Sequence, residues 1–307
     1  MTPLRGIARK LCAVMLCIVM SSLIKATSDT VPPGQAVFFR SLFAIPVILG
    51  WLWMRGALRT GLKVKSPMGH FWRGLVGTTA MGLMFAGLGL LPLPEVTALG
   101  YAAPLMTVIF AAMFLDEKVG IYRISAVGLG LAGVLIVLAP RLTTLSGPTV
   151  QTAEAVGAVL VILGATCAAL AQIYIRKLVQ TEETSAIVFY FSLTSTSLAL
   201  LTLPFGWTIP GGWAASMLIL AGLLGGLGQI FLTSSYRHAD ASVIAPFDYA
   251  SMIFALLIGY FVFAEVPTKQ MLIGAALVVM AGLIIILRER HLGLQRGKAR
   301  SVKTPQG

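Results

Sequence analysis

Ten stretches of mostly apolar residues follow one another along this chain, and no other feature limits its fold as severely. They run approximately over 7–26, 34–54, 71–91, 95–115, 121–139, 155–175, 184–204, 213–235, 242–263 and 268–287. About twenty such residues make a helix long enough to cross the hydrocarbon layer. No water is present there to satisfy backbone N–H and C=O groups, so each stretch must close its hydrogen bonds internally, as a helix. The expected fold is an all-α integral membrane protein of ten transmembrane helices. Charge content agrees: 11% of the residues are Asp, Glu, Lys or Arg, against about 25% in a soluble domain. The N-terminal "MTPLRGIARKLCAVMLCIVMSSLIKAT" imitates a signal peptide but carries no A-x-A cleavage site, and is read as an uncleaved first helix. Cys12, Cys17 and Cys167 lie in apolar runs without metal or redox spacing and are read as packing residues.

The positive residues set the orientation. An even number of spans puts both termini on one side. With the termini in the cytoplasm, 19 of the 23 Lys and Arg residues fall on the inside, among them Arg5, Arg9, Lys10, Arg73 and the tail from Arg288 to Lys303. Lys25, Arg141 and Lys269 stay near the outside, and Arg40 lies within a span. This asymmetry predicts termini facing the cytoplasm. The net charge of +12 is thereby a topology signal, and nucleic acid is excluded as a partner.

The two halves of the sequence repeat. "VFFRSL" at 37–42 matches "VFYFSL" at 188–193, an offset of 151 that also relates Gly6 to Gly157 and Lys25 to Arg176. Further on, "MFLDEKVG" matches "FVFAEVPT" and sets Glu117 against Glu265 at an offset of 148. Five spans per half is an odd number, so the halves must insert in opposite directions. Inverted repeats are an architecture of secondary transporters, which hold substrate near the midplane and rock the halves around it. The expected organisation is a first repeat over 6–139, a periplasmic linker over 140–153, a second repeat over 154–288 and a basic cytoplasmic tail over 289–307.

These residues resemble the EamA branch of the drug/metabolite transporter superfamily. The resemblance is carried by the duplicated five-helix unit, the Arg-containing second helix, and the helix-end glutamates before glycine-rich helices in "EKVGIYRISAVGLGLAGVLIV" and "EVPTKQMLIGAALVVMAGLIII". It spans about residues 6–288. The opening "RGI…SSLIKATSDTVPPGQAVFFRSLFAIPVI" is similar, more narrowly, to bacterial riboflavin importers. The resemblance implies a carrier in the bacterial inner membrane that takes up a small molecule, riboflavin first among candidates. Export of amino acids, drugs or other metabolites stands as the alternative. No cofactor is implied, membrane lipid is the surroundings, and a monomer suffices.

Charge inside a span is costly and tends to mark a substrate or ion route. Arg40 therefore has two readings, an anion contact in an outer vestibule or a side chain snorkelling to headgroups. Lys25, near the outer end of the first span, has the same two and joins Asp248 as a candidate for gating or coupling. Arg40 and Asp248 are expected on opposite sides of the midplane and not paired. Phe39, Tyr101, Gln172, Tyr190, Gln229 and Tyr249 are candidate substrate contacts, because aromatic faces stack a flat ring while amides and hydroxyls hold its polar edge. Glu117 and Glu265 are read as structural caps. A membrane-embedded enzyme would need nucleophiles, bases or metal ligands inside the bilayer. His70, His238 and His291 are instead read in loops or the tail, and no catalytic residue or metal site is expected. A sensor or scaffold is disfavoured by the lack of any recognisable extramembrane domain.

Overall fold

The computed structural model describes residues 3–58, 60–114, 121–142, 149–178, 181–238 and 245–302, all helical or in short connections. The helices are α1 (Pro3–Thr27), α2 (Pro33–Leu42), α3 (Ala44–Met54), α4 (Pro67–Leu90), α5 (Leu93–Gly100), α6 (Ala102–Phe114), α7 (Ile121–Leu142), α8 (Thr149–Leu178), α9 (Thr184–Leu200), α10 (Gly212–His238), a 3₁₀ turn (Ala245–Tyr249), α11 (Ala250–Phe263) and α12 (Lys269–Val302). Among the described residues, seven segments are long and apolar enough to cross a membrane, and three shorter apolar helices accompany them over Ile124–Pro140, Thr184–Leu200 and Phe247–Phe263. The chain is a multi-pass membrane protein. Glu117 lies outside the described residues. Helix α7 continues to Leu142 and α8 begins at Thr149, so both extend into the linker expected over 140–153.

Three of the ten expected spans are broken, and two breaks follow from proline. Pro46 has no N–H for the carbonyl of Leu42, and its ring clashes with that carbonyl. Accordingly α2 stops at Leu42 and α3 restarts after Phe43. Pro104 acts on Gly100 in the same way, so α5 ends at Gly100, with Tyr101 between it and α6. The third break is the 3₁₀ turn that contains Pro246, ending at Tyr249.

Helix α1 packs along α10 and α4 along α8, while α7 lies against α12 and the α2–α3 span against α9. The last pair runs antiparallel: Gln35 meets Thr208 beyond the end of α9, whereas Ser185 at its start donates to the carbonyl of Gly61. Helices α7 and α12 are antiparallel too. A Cβ on Gly130 would meet Ala281 at 3.1 Å and one on Gly133 the carbonyl oxygen of Gly274 at 2.7 Å, so glycine is what permits the approach. The α5–α6 and α11 spans share this sense, with Leu93 bonded to Glu265 and Tyr101 against Tyr249.

Candidate functional site

Two arginines occupy the interior. Arg40 of α2 is 4% exposed and Arg73 of α4 is 8% exposed. Both guanidinium groups face the same ring, Phe191 of α9. The Arg73 carbon lies 3.5 Å from the ring centroid and the Arg40 carbon 5.7 Å away. Nε and Nη1 of both side chains, and the neighbouring Ser41 hydroxyl, are buried without a hydrogen-bond partner. Among the described residues no carboxylate stands within ion-pair distance of either arginine. Two glycines make room: a Cβ on Gly77 would come within 2.9 Å of Arg73 Nη1, and one on Gly225 within 3.1 Å of Arg40 Nε. Two like charges in a low-dielectric interior repel strongly, and a buried donor without an acceptor is costly. This arrangement is complementary to an anion.

Arg40 is within the membrane, as its apolar neighbours imply. Arg73, counted among the inside charges although the expected span 71–91 contains it, is buried in α4. The signal is nonetheless present in "KSPMGH", where Pro67 follows Ser66 as proline does at a helix start. That start places Arg73 in the second turn of α4. The same early start corrects His70, read as a loop residue but buried in α4. His238 and His291 likewise fall within helices α10 and α12. Above Arg40 a cavity of about 220 Å³ is lined by Ile24, Val31, Ala36, Phe85 and Gly89. Ala36, which lines this cavity, and Arg40, four residues on, share one face of α2.

Lys25 does not make that opening cationic, contrary to expectation. Its ammonium is 3.0 Å from Glu265 Oε1 and donates to the carbonyls of Leu88 and Leu91, which the end of α4 leaves unpaired. Glu265 in turn accepts from the backbone N–H of Leu93 at the start of α5. The capping role expected of Glu265 is present, and Lys25 is its partner across the two halves of the chain.

At the other end of α4, Glu182 joins the halves a second time. Its Oε1 accepts from the backbone N–H groups of Lys65 and Ser66, at 2.7 and 2.6 Å. Its Oε2 has no hydrogen-bond partner and lies 3.8 Å from His70 Nε2. Tyr190 stacks beside His70 at 5.3 Å and donates to the carbonyl of Leu62. Neither His70 nor Glu182 stands out in the sequence, because each lies near a span boundary where polar residues are ordinary.

Asp248 is paired, as expected, with a residue other than Arg40: Lys10 Nζ lies 2.7 Å away. Lys10 itself, read as an inside-loop charge, is buried in α1. Tyr101 and Tyr249 meet edge to face at 5.1 Å, and the Tyr101 hydroxyl is 2.6 Å from that of Ser251. Phe39 stacks between Phe38 and Phe43. Gln229 is half-buried on α10, while Gln172 is exposed on α8 and does not join the interior polar groups. Among the described residues no three His, Cys, Asp or Glu side chains come together to hold a metal ion.

Comparison with known sequences places this arrangement. The profile of the EamA-like transporter family matches twice, over residues 5–139 and 155–288. The chain belongs to the EamA-like transporter family. Similar members of this transporter group include the S-adenosylmethionine uptake transporter of Rickettsia felis, 27% identical over 83% of each chain. The pseudopaline exporter CntI of Pseudomonas aeruginosa is 30% identical over 86% of this chain and 89% of its own. An uncharacterized transporter of Helicobacter pylori is 28% identical over 93% and 96%. A crystal structure with 20% sequence identity shares the fold, with a TM-score of 0.65 over 94% of this chain and 98% of its own.

Proposed function

We propose that this transporter carries a small organic metabolite across the bacterial inner membrane by alternating access, as two inverted five-helix repeats over 6–139 and 154–288 with both termini in the cytoplasm. The observation that carries the reading is that residues at matching positions of the halves touch. Arg40 faces Phe191, 151 positions on, and Tyr101 faces Tyr249, 148 positions on. Matching residues of a two-fold arrangement meet only beside its axis. The antiparallel packing of α7 on α12 and of the α2–α3 span on α9 supports the same symmetry. Substrate in such carriers lies at the repeat interface, here beside Arg40, Phe39, Tyr101, Tyr190, Gln229 and Tyr249.

Two polar latches join the halves at opposite ends of α4. Lys25–Glu265 is the outer gate and Glu182 with His70 the inner one. From His70 to Leu88 is 18 residues, roughly 27 Å of helix at about 1.5 Å each. Opening one latch while the other stays closed exposes the interior to one side at a time. Lys10–Asp248 is a third cross-half pair and the candidate for coupling.

Riboflavin uptake rests on the opening segment of the chain. The relatives named for S-adenosylmethionine and pseudopaline widen the choice of substrate and include both uptake and export; the same fold serves either direction as gradients dictate. The test is counterflow in liposomes holding the purified protein, with riboflavin, S-adenosylmethionine and amino acids as trial solutes. Exchange of one of them at a rate absent from empty liposomes supports the carrier, and exchange of none by folded protein rejects it. Single cysteines at 145 and 303, labelled from each side of intact cells, test the orientation; labelling of 303 from outside refutes it.

A further inference from the structure

We propose that Arg40 and Arg73 together bind the oxyanion group of the transported molecule, so that the substrate is a small organic anion held by a carboxylate or phosphate against Phe191. The proposal rests on the carrier reading above and narrows its substrate to a bearer of carboxylate or phosphate, a class that leaves out uncharged riboflavin.

Four observations converge on it. Both guanidinium groups are more than nine-tenths buried. Both face one ring, so their separation is at most the sum of 3.5 and 5.7 Å, a gap that a carboxylate or phosphate can bridge. Four of their buried N–H-bearing nitrogens, together with the Ser41 hydroxyl, lack acceptors, and neither arginine forms an ion pair among the described residues. Three acids have partners of their own: Glu265 in Lys25 and Leu93, Asp248 in Lys10, and Glu182 in two backbone N–H groups.

Chemistry favours an oxyanion over the alternatives. Arginine cannot shed its proton to escape the cost of burial, so two unpaired guanidinium groups side by side need a neutralising partner. Their planar forks match carboxylate and phosphate oxygens in bidentate fashion. A structural role would need a resident acid, and among the described residues none pairs with either arginine. A lipid headgroup is a poor source of the anion, because α2, α4, α9 and α10 surround the pair. The cavity lined by Ala36 lies one helical turn from Arg40 along α2. Phe191 supports the plane of the bound group and attracts both cations through its ring face.

The experiment uses the full-length protein in lipid-free detergent. Ligand-induced shifts in the unfolding midpoint are read for benzoate, malate, S-adenosylmethionine and inorganic phosphate, with benzamide as the neutral control. Wild-type protein is expected to shift with at least one oxyanion and not with benzamide. Arg40→Gln and Arg73→Gln are each expected to weaken that binding tenfold or more, and Arg55→Gln, remote on the α3 end, to leave it unchanged. If either glutamine variant fails to fold, Arg40→Lys and Arg73→Lys replace it; they keep the charge, lose the fork and are expected to weaken binding several-fold. Equal shifts with benzoate and benzamide, or no shift with any of benzoate, malate and inorganic phosphate, overturn the proposal. So does a shift that survives in both arginine variants. Anionic phospholipid that competes away the benzoate shift would assign the site to a headgroup and also overturn it. Counterflow separates this inference from the one beneath it. Exchange of a neutral solute at equal rates in wild type and both variants keeps the carrier and removes the anion site. Arginine-dependent binding without exchange of any solute keeps the site and removes the carrier.

Discussion

Arg40 and Phe191 stand at matching positions of the two halves and touch, with the guanidinium carbon 5.7 Å from the ring centroid. A charge in one half is thus met by an apolar ring in the other, at the seam where the halves join. The two segments align in sequence there, and their side-chain chemistry differs.

The unpaired arginines make the empty interior costly, so removing one should stabilise the ligand-free protein. Arg73→Met gives up a cation–π contact worth roughly 1–2 kcal/mol. It also removes the several-kcal/mol penalty of an uncompensated buried charge. Relief of that penalty outweighs the lost ring contact, and the unfolding midpoint in detergent is expected to rise by the equivalent of about 1–3 kcal/mol. A fall would mean that the charge is compensated.

The outer latch is unequal in its two partners. Lys25→Met strands the carbonyls of Leu88 and Leu91 as well as Glu265, whereas Glu265→Gln keeps an oxygen for the Leu93 N–H. Lysine removal is expected to cost about 2–3 kcal/mol and the glutamine change about 1 kcal/mol. A double-mutant cycle on unfolding midpoints should return a coupling of about 1 kcal/mol.

Glu182 acts at the inner end as an acceptor for backbone N–H groups, a task that needs an oxygen and not a charge. Glu182→Gln should stay within about 1 kcal/mol of wild type, and Glu182→Ala should lose about 1–3 kcal/mol. Equal losses in the two variants would assign the effect to the carboxylate facing His70.

Two glycines distinguish a close helix contact from an open face. A Cβ at Gly274 would lie 2.6 Å from the Gly133 carbonyl oxygen, whereas one at Gly128 meets nothing within 4 Å. Gly274→Ala is expected to destabilise by about 1–3 kcal/mol through overpacking. Gly128→Ala should stabilise by up to about 1 kcal/mol through helix propensity. Thermal unfolding of the two variants, compared side by side, checks both signs.

Much of the fold was legible in sequence because bilayer physics leaves few choices. Hydropathy marked the spans, and the offsets near 150 exposed the duplication. The breaks at Phe43 and Tyr101 were legible too, each three residues ahead of Pro46 and Pro104, once the missing N–H is traced to its carbonyl. The candidate site was legible only in part. Arg40 announced itself as a lone charge amid apolar neighbours. Arg73, His70 and Lys10 did not, because each lies within about two turns of a helix start, where a charge reads equally well as a topology signal.

The sequence by itself determined that this chain crosses the membrane many times, that its halves repeat, and that Arg40 lies within a span. Those facts follow from periodicity, composition and spacing, which are properties of the chain read in one dimension. Only the tertiary structure decided which charges cancel and which do not. Lys25 found Glu265, Lys10 found Asp248, and Glu182 found two backbone amides, each across more than 100 residues of chain. Arg40 and Arg73 were left facing Phe191, with no ion pair among the described residues. Pairing depends on distances of a few ångströms between segments remote in sequence, and those distances exist only after the helices have packed.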